Sequence, residues 1–283
     1  MRVCDILARS GQQLQEAGVD SPRLSAQLLA GHVLGLDRLH VELASERVLA
    51  DDEATRIQAL VNRRAQGEPL AHLLGMREFY GRDFAVTAHT LIPRPDTEIL
   101  IDTILRLLPA GDTTPRRFAD LGAGSGCIAI TLACERPHWQ GLMVEMDPQA
   151  AATALANSQR HSAADRLSCV RGDMFRLACK ESAFDVVVAN PPYIAQAEIA
   201  DVMPEVLRYE PHTALFSPEN GLSHLAACAR EAQRLLRPDG LVALEHGFRQ
   251  GQAVRDILVA SGFVRPATEC DLAGRERCTW AQK

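Results

Sequence analysis

Phe118-Ala119-Asp120-Leu121-Gly122-Ala123-Gly124-Ser125-Gly126, followed by the apolar stretch Cys127-Ile128-Ala129-Ile130-Thr131-Leu132-Ala133, reads as a strand, a glycine loop and a helix in that order. Glycines at 122, 124 and 126 let the backbone turn sharply and approach a ligand closely, and the helix N-terminus beyond them offers unpaired N–H groups. From about residue 98 onward strands alternate with helices, which predicts an α/β fold: a mostly parallel sheet covered on both faces. The loop alone is a weak signal. Its spacing, Gly-x-Gly-x-Gly and not Gly-x-Gly-x-x-Gly, argues against a dinucleotide and for a ligand whose tail carries a carboxylate instead of a pyrophosphate.

Three more strand ends follow in chain order. Gly141-Leu142-Met143-Val144 closes on Glu145, near the roughly 20-residue offset from Gly122 at which an acid meets ribose hydroxyls in nucleotide-binding βαβ units. Asp147 reads instead as the N-cap of a helix opening at Pro148. Leu167-Ser168-Cys169-Val170 leads into Arg171-Gly172-Asp173-Met174-Phe175. There Asp173 suits the exocyclic N–H2 of an adenine, with Met174 or Phe175 over a ring face, and the same residues serve equally well as a Gly-Asp turn.

The last run, Phe184-Asp185-Val186-Val187-Val188-Ala189, is β-branched and too short for a helix, so it predicts a buried strand. Asn190-Pro191-Pro192-Tyr193 comes directly after it, and two prolines forbid both a continuing strand and an immediate helix. Asn190 is thereby placed at the carboxyl edge of the sheet, where open α/β folds bind ligands. An NH2 group on an sp2 carbon can give its two N–H donors to the Asn190 side-chain oxygen and to a carbonyl of the Asn190-Pro191-Pro192 backbone, while Tyr193 packs against its plane. Asn-Pro-Pro by itself would be read as a Pro-rich turn. Four such features on successive strand ends are poorly explained by coincidence.

The flanks divide the chain into residues 1–72, 73–97 and 98–283. Up to Gly67 the pattern is helical: Ser21-Pro22 predicts an N-cap with proline at the first position, Leu24, Leu28, Leu29 and Val33 share one face, and Gly35 ends the element. Asp51-Asp52 start another helix, with Ile57, Leu60 and Val61 on its apolar side and Gly67 as its stop. Residues 73–97 form a connector, in which Phe79-Tyr80-Gly81-Arg82-Asp83-Phe84-Ala85-Val86 is a hairpin and Pro93 and Pro95 precede the next helix. Val264 to Leu272 and Arg275 to Trp280, joined through Gly274, predict a terminal antiparallel pair.

At 283 residues and 47% hydrophobic content the chain can bury a full catalytic domain and a small additional one. No apolar stretch reaches the length of a membrane span, and the N-terminus lacks a signal-peptide pattern, so a cytoplasmic protein is expected. The eight cysteines form no Cys-x-x-Cys pair and the nine histidines show no ligand spacing, which predicts free thiols and no metal site. His246 reads as a satisfied structural histidine. A net charge of −6 without a Lys/Arg-rich run argues against nucleic acid, and Arg63-Arg64 with Arg77 and Arg82 read as a solvated face.

The chain resembles the release-factor glutamine N5-methyltransferases, the PrmC (HemK) family of class I methyltransferases. The resemblance runs through Arg63-Arg64-Ala65-Gln66-Gly67-Glu68-Pro69-Leu70-Ala71-His72, Arg77-Glu78-Phe79-Tyr80, Leu91-Ile92-Pro93-Arg94-Pro95-Asp96-Thr97-Glu98, Tyr209-Glu210-Pro211 and Leu244-Glu245-His246-Gly247, besides the glycine loop and Asn-Pro-Pro-Tyr. It implies the seven-stranded class I methyltransferase sheet with a terminal antiparallel hairpin, and a helical domain at 1–72 that recognises the substrate. It also implies S-adenosyl-L-methionine held by Gly122, Ala123, Gly124, Ser125, Gly126, Glu145 and Met174, with Asp173 and Asn190 adjoining. The substrate would be the glutamine of the Gly-Gly-Gln loop in class I peptide-chain release factors, held by Asn190, Pro191, Pro192 and Tyr193. Glu145 stands where the family more often has Asp, and Met174 where it often has an aromatic. A ribosomal-protein glutamine, a DNA adenine or RNA guanine amino group, and a non-catalytic adaptor are the competing readings. Tyr209-Glu210-Pro211 fits closure over the substrate and simple folding of the segment after Tyr193 equally.

Overall fold

Helical spacing of apolar residues organises the amino-terminal part into α1 (Val3–Glu16), α2 (Pro22–Leu34), α3 (Arg38–Leu43), α4 (Asp51–Ala65) and α5 (Leu70–Leu74) in a computed structural model that describes residues 1–109, 111 and 113–283. Val3, Ile6, Leu14, Leu29, Val41, Ile57, Val61 and Leu73 form their shared core. Pro22 opens α2 and Gly35, at φ 67°, ends it, but Ser21 lies in the left-handed region and its hydroxyl caps nothing. A side-chain cap needs an extended backbone at that position. The face expected from Leu24, Leu28, Leu29 and Val33 is also only partly the buried one: Leu24 is exposed, while Ser25, Ala26 and Ala30 are buried beside Leu29. The buried face of α2 combines Leu29 and Gln27 with the small residues Ser25, Ala26, Ala30 and Gly31, so length of the apolar side chain alone does not mark the contact.

These helices form one compact unit, Met1–Met76, which also contains Met203–Tyr209 from much later in the chain; Arg77–Val202 and Glu210–Lys283 form the second. The returning segment supplies α9 (Pro204–Tyr209). The buried Arg64 donates to Glu205 and to the Glu68 carbonyl, both at 2.8 Å, and Arg208 donates to the Gln66 carbonyl at 3.2 Å.

The second unit opens on a two-stranded hairpin, β1 (Met76–Phe79) and β2 (Arg82–Ala85), turning at Tyr80-Gly81 with both residues at positive φ. A 3₁₀ turn at Pro95–Thr97 leads into α6 (Glu98–Leu107). The succession then runs β3 (Arg117–Leu121), α7 (Cys127–Glu135), β4 (Gln140–Glu145), α8 (Pro148–Arg160), β5 (Leu167–Arg171) and β6 (Phe184–Ala189). After α9 come α10 (Ser223–Leu235), β7 (Leu236–Glu245), α11 (Gly251–Ala260), β8 (Val264–Cys270) and β9 (Glu276–Gln282). The seven-stranded sheet has the order β5-β4-β3-β6-β7-β9-β8, parallel except where β9 pairs with β7 and with β8.

Strand alternation sorts the core onto the two faces. Phe118, Val186, Val188 and Ala243 face α6 and α7 through Leu100, Ile104, Ile128 and Leu132. Ala119, Leu121, Val187, Ala189, Val242 and Leu244 face α10 and α11 through Leu225, Ala232, Val254 and Leu258. The chain leaves β3 toward β4 and β5 on one side and returns to β6 and β7 on the other, so a crevice opens at the carboxyl ends of β3 and β6. Among the described residues, no helix is long and apolar enough to cross a membrane. All eight cysteines are free thiols.

Candidate active site

The loops that leave β3, β4, β5 and β6 line one cavity together with His89, Leu91, Pro93, Arg94 and Thr97. Gly122 and Ala123 donate their N–H groups to the Val144 carbonyl at 2.9 and 3.0 Å, which folds the glycine loop over the end of β4. Gly122 has φ 81°, and a Cβ there would come within 2.9 Å of Met174 Sδ. Absence of a side chain therefore keeps the loop and the Met174 turn against each other. Ser125 is buried, and its carbonyl accepts from Asn157 Nδ2 at 2.9 Å while Asn157 Oδ1 accepts from the Ala85 N–H at 2.8 Å, so α8 ties the loop to β2.

Glu145 stands at the end of β4 with its carboxylate held by three backbone donors: Gly124 N–H at 2.8 Å on one oxygen, Met146 and Asp147 N–H at 2.8 and 2.9 Å on the other. Asp147 caps α8, as its position before Pro148 predicts, accepting from Gln149 and Ala150. Asp173 accepts from the Phe175 N–H at 2.9 Å and also lines the cavity, so the turn reading and the ligand-facing reading describe the same residue. Phe175 stacks on His224 with ring centres 5.0 Å apart.

At the end of β6, Asn190 donates through Nδ2 to the Thr97 hydroxyl at 3.2 Å, and Asn190 and Pro192 both line the cavity. Burial holds the His224 imidazole below the usual histidine range, opposed by the nearby Pro192 carbonyl. Three expected residues stand behind the wall and not in it: Gly126, Pro191 and Tyr193 are absent from the lining. The Tyr193 ring packs with the apolar cluster of α10 and α11, its carbonyl accepts from Gln250 at 3.0 Å, and its hydroxyl donates to Glu245 at 3.3 Å. Two buried prolines fix the backbone direction, and that direction turns the ring inward.

Glu245 ends β7 only 1% exposed. Burial pushes its carboxyl up to about 7, against the hydroxyls of Thr97 and Tyr193, which favour the charged form. Asp120, fully buried below the glycine loop, is likewise raised to about 7 by desolvation, opposed by the Ala129 N–H that donates to it. His246 is satisfied on both ring nitrogens, by the Gly247 carbonyl and by Thr279, as a structural histidine would be.

Thr97 and Glu210 lie outside the strand-end motifs from which the site was read. Glu210 is buried and accepts from the Ile92 N–H at 3.0 Å and from Arg94 at 2.5 Å, pinning the Leu91–Arg94 stretch of the cavity wall. The two halves of Tyr209-Glu210-Pro211 thus separate: Tyr209 belongs to the helical unit, and Pro211 lines the cavity. Both residues stood in stretches quoted only as family signatures, and their partners lie 93 and 118 positions away, beyond the reach of local pattern.

The cavity suits S-adenosylmethionine. Its glycine loop leaves room that a Cβ would fill, an acid stands at the β4 end, and a thioether and an acid stand at the β5 end. The fold and this site define a class I methyltransferase. A family model for the methyltransferase small domain matches residues 95–215, and one for the PrmC N-terminal domain matches residues 5–75. The chain is 42% identical to a release factor glutamine methyltransferase of Nitratidesulfovibrio vulgaris, covering 98% of this chain and 94% of that protein. It is 39% identical to the one of Salmonella typhimurium, with 92% of each covered. Among solved structures, a methyltransferase from Pyrococcus furiosus superposes with a TM-score of 0.53 at 17% identity, over 80% of this chain and 97% of that one. The catalytic domain of hMettl16 in complex with a MAT2A hairpin gives 0.58 at 18% identity over 82% and 81%, a likeness of fold. The chain belongs to the release factor glutamine methyltransferase family.

Proposed function

We propose that this protein transfers a methyl group from S-adenosyl-L-methionine to the side-chain nitrogen, N5, of the glutamine in the Gly-Gly-Gln motif of class I peptide-chain release factors. The observation that carries the reading is the Asn190 amide. It is held at the cavity wall by Thr97, with Pro192 beside it, in a chain matched over nearly its full length by release factor glutamine methyltransferases. When bound, S-adenosylmethionine supplies an electrophilic sulfonium methyl. Gly122, Ala123, Gly124 and Ser125 would carry it, with Gly126 turning the loop behind them, Glu145 at the ribose and Asp173 and Met174 at the adenine.

The protein's own task is to make an amide nitrogen nucleophilic, because the lone pair of an amide is delocalised into its carbonyl. Asn190 Oδ1 and a carbonyl of the Asn190-Pro191-Pro192 backbone accept the two N–H bonds, leaving the lone pair directed at the methyl carbon. Such acceptors strengthen as positive charge grows on nitrogen, so they bind the transition state better than the ground state. Positioning adds up to roughly 7–11 kcal/mol in favourable intramolecular cases. Tyr193 serves less as a stacking wall than as a prop that fixes the loop through Glu245 and Gln250.

The helical unit is assigned to grip the protein substrate; Leu39, Leu43 and Val48 are large apolar side chains exposed on it. Mass-spectrometric mapping of a release factor after incubation with enzyme and methyl donor tests the function. One added methyl on the Gly-Gly-Gln glutamine is expected, and modification confined to any other residue contradicts the assignment.

A further inference from the structure

We propose that Thr97, backed by Glu245, sets which end of the Asn190 amide faces the cavity, so that both are positioning residues for the acceptor; the inference rests on the reading of this cavity as an amide-methylating site. Thr97 lies in the 3₁₀ turn before α6, Glu245 at the end of β7 and Asn190 at the end of β6, so three elements meet here. Thr97 is 2% exposed and receives Asn190 Nδ2 at 3.2 Å. A hydroxyl carries one proton and two lone pairs. The Thr97 hydroxyl favours the charged form of the Glu245 carboxyl, of which one oxygen accepts from the Tyr193 hydroxyl at 3.3 Å and the other is buried without a hydrogen-bond partner of good geometry.

Buried carboxylate oxygens demand donors. When Glu245 is charged, the Thr97 proton is therefore drawn toward it, and the Thr97 lone pairs are left for Asn190. Only the NH2 end of the amide can meet a lone pair. The Oδ1 end must then point away from Thr97, where it is free to accept from a substrate NH2. Rotating the amide by 180° would set its oxygen against the lone pairs of Thr97 and present N–H donors to the substrate's N–H donors. It would also withdraw the acceptor on which the proposed chemistry depends. Glu245 takes the Tyr193 hydroxyl directly, so the same carboxyl holds the last residue of Asn190-Pro191-Pro192-Tyr193 and acts on the first through Thr97.

Thr97→Val keeps the shape and removes the acceptor; Thr97→Ser keeps the hydroxyl. With asparagine selectively labelled with ¹⁵N, the Asn190 side-chain amide is followed without any acceptor protein present. The expected result is that the hydrogen-bonded proton of that amide shifts upfield and exchanges faster in Thr97→Val, and returns toward the wild-type position in Thr97→Ser. In methyl transfer, Thr97→Val should lower kcat by about tenfold or more, the scale of one orienting hydrogen bond lost from a transition state. The acceptor KM and cofactor affinity should stay near wild type, and Thr97→Ser should recover most of kcat. An Asn190 amide signal unaltered in Thr97→Val overturns the proposal whatever the acceptor proves to be. So does a kcat loss that merely follows a fall in melting temperature in both variants. Lack of transfer by the wild-type protein would count against the proposed function instead, and the amide signal would still decide this inference.

Discussion

In the proposed reaction Asn190 is the residue on which the chemistry turns, because it would present a neutral acceptor to a neutral donor at the sheet edge. Asn190→Ala should lower methyl transfer by about 10²–10³-fold, as removal of a transition-state hydrogen-bonding group does. Calorimetric affinity for S-adenosylmethionine should remain close to wild type, and an active Asn190→Ala enzyme would sink the assignment. Gly122→Ala is expected to act on the other partner. A Cβ at φ 81° lies in the region that disfavours side chains and would meet Met174 Sδ at 2.9 Å, so cofactor affinity should fall while the apparent acceptor KM changes little. Asn190 was legible in the sequence because a buried run, two prolines and an amide are contiguous. Thr97 was not, since its role arises only when residues 93 positions apart come within hydrogen-bond distance. Tyr193 was legible as an aromatic beside the site but not in direction, because the way its ring points depends on where α10 and α11 pack.

At the scale of elements, local signals located most ends. Asp147-Pro148 placed the start of α8, Gly35 the end of α2, and Gly274 the turn of the final hairpin. What pattern missed was tertiary: the buried face of α2 takes in Ser25, Ala26, Gln27 and Ala30 beside Leu29 and leaves out Leu24, and α9 joins the helical unit although it follows β6 in the chain. Arg64 is the element-level link, buried and paired with Glu205 across 141 positions. Arg64→Ala leaves that carboxylate without its cation and the Glu68 carbonyl without its donor, which should destabilise the helical unit by about 2–4 kcal/mol. Limited proteolysis reads this out as faster nicking between residues 196 and 209. Nicking at the wild-type rate would mean that α9 is held by other contacts. Glu210→Gln should likewise weaken the hold on Ile92 and Arg94. Hydrogen exchange at the Ile92 amide, bonded to Glu210 at 3.0 Å, is expected to quicken.

For the molecule as a whole, the succession of strands and helices announced the sheet, and its order followed from the usual right-handed crossovers and a switch point beside β3. Stability should depend on pH with a definite sign. Asp120 and Glu245 are raised to about 7 from ordinary values of 3.8 and 4.5, so between those limits these two groups bind more protons in the folded protein than in the unfolded one, while His224 and His246, lowered by burial from 6.5, bind fewer. The stability contributed by Asp120 and Glu245 therefore falls as pH rises from about 4 to about 7, by at most roughly 1.4 kcal/mol per pH unit for each group. Asp5, Asp37, Asp147 and Asp271 are lowered below 3.8 and act in the opposite sense only beneath that window. Glu245→Gln should flatten the dependence in denaturant titrations at successive pH values, and an unchanged slope would show that Glu245 titrates normally.

The most direct test of the proposed reaction is transfer of a labelled methyl group from S-adenosylmethionine to purified class I release factor, beside a factor whose Gly-Gly-Gln glutamine is replaced by alanine. Label on the wild-type factor alone is the predicted result. Equal label on both factors, or none on either while the enzyme demonstrably binds the cofactor, would contradict glutamine methylation of release factors by this protein.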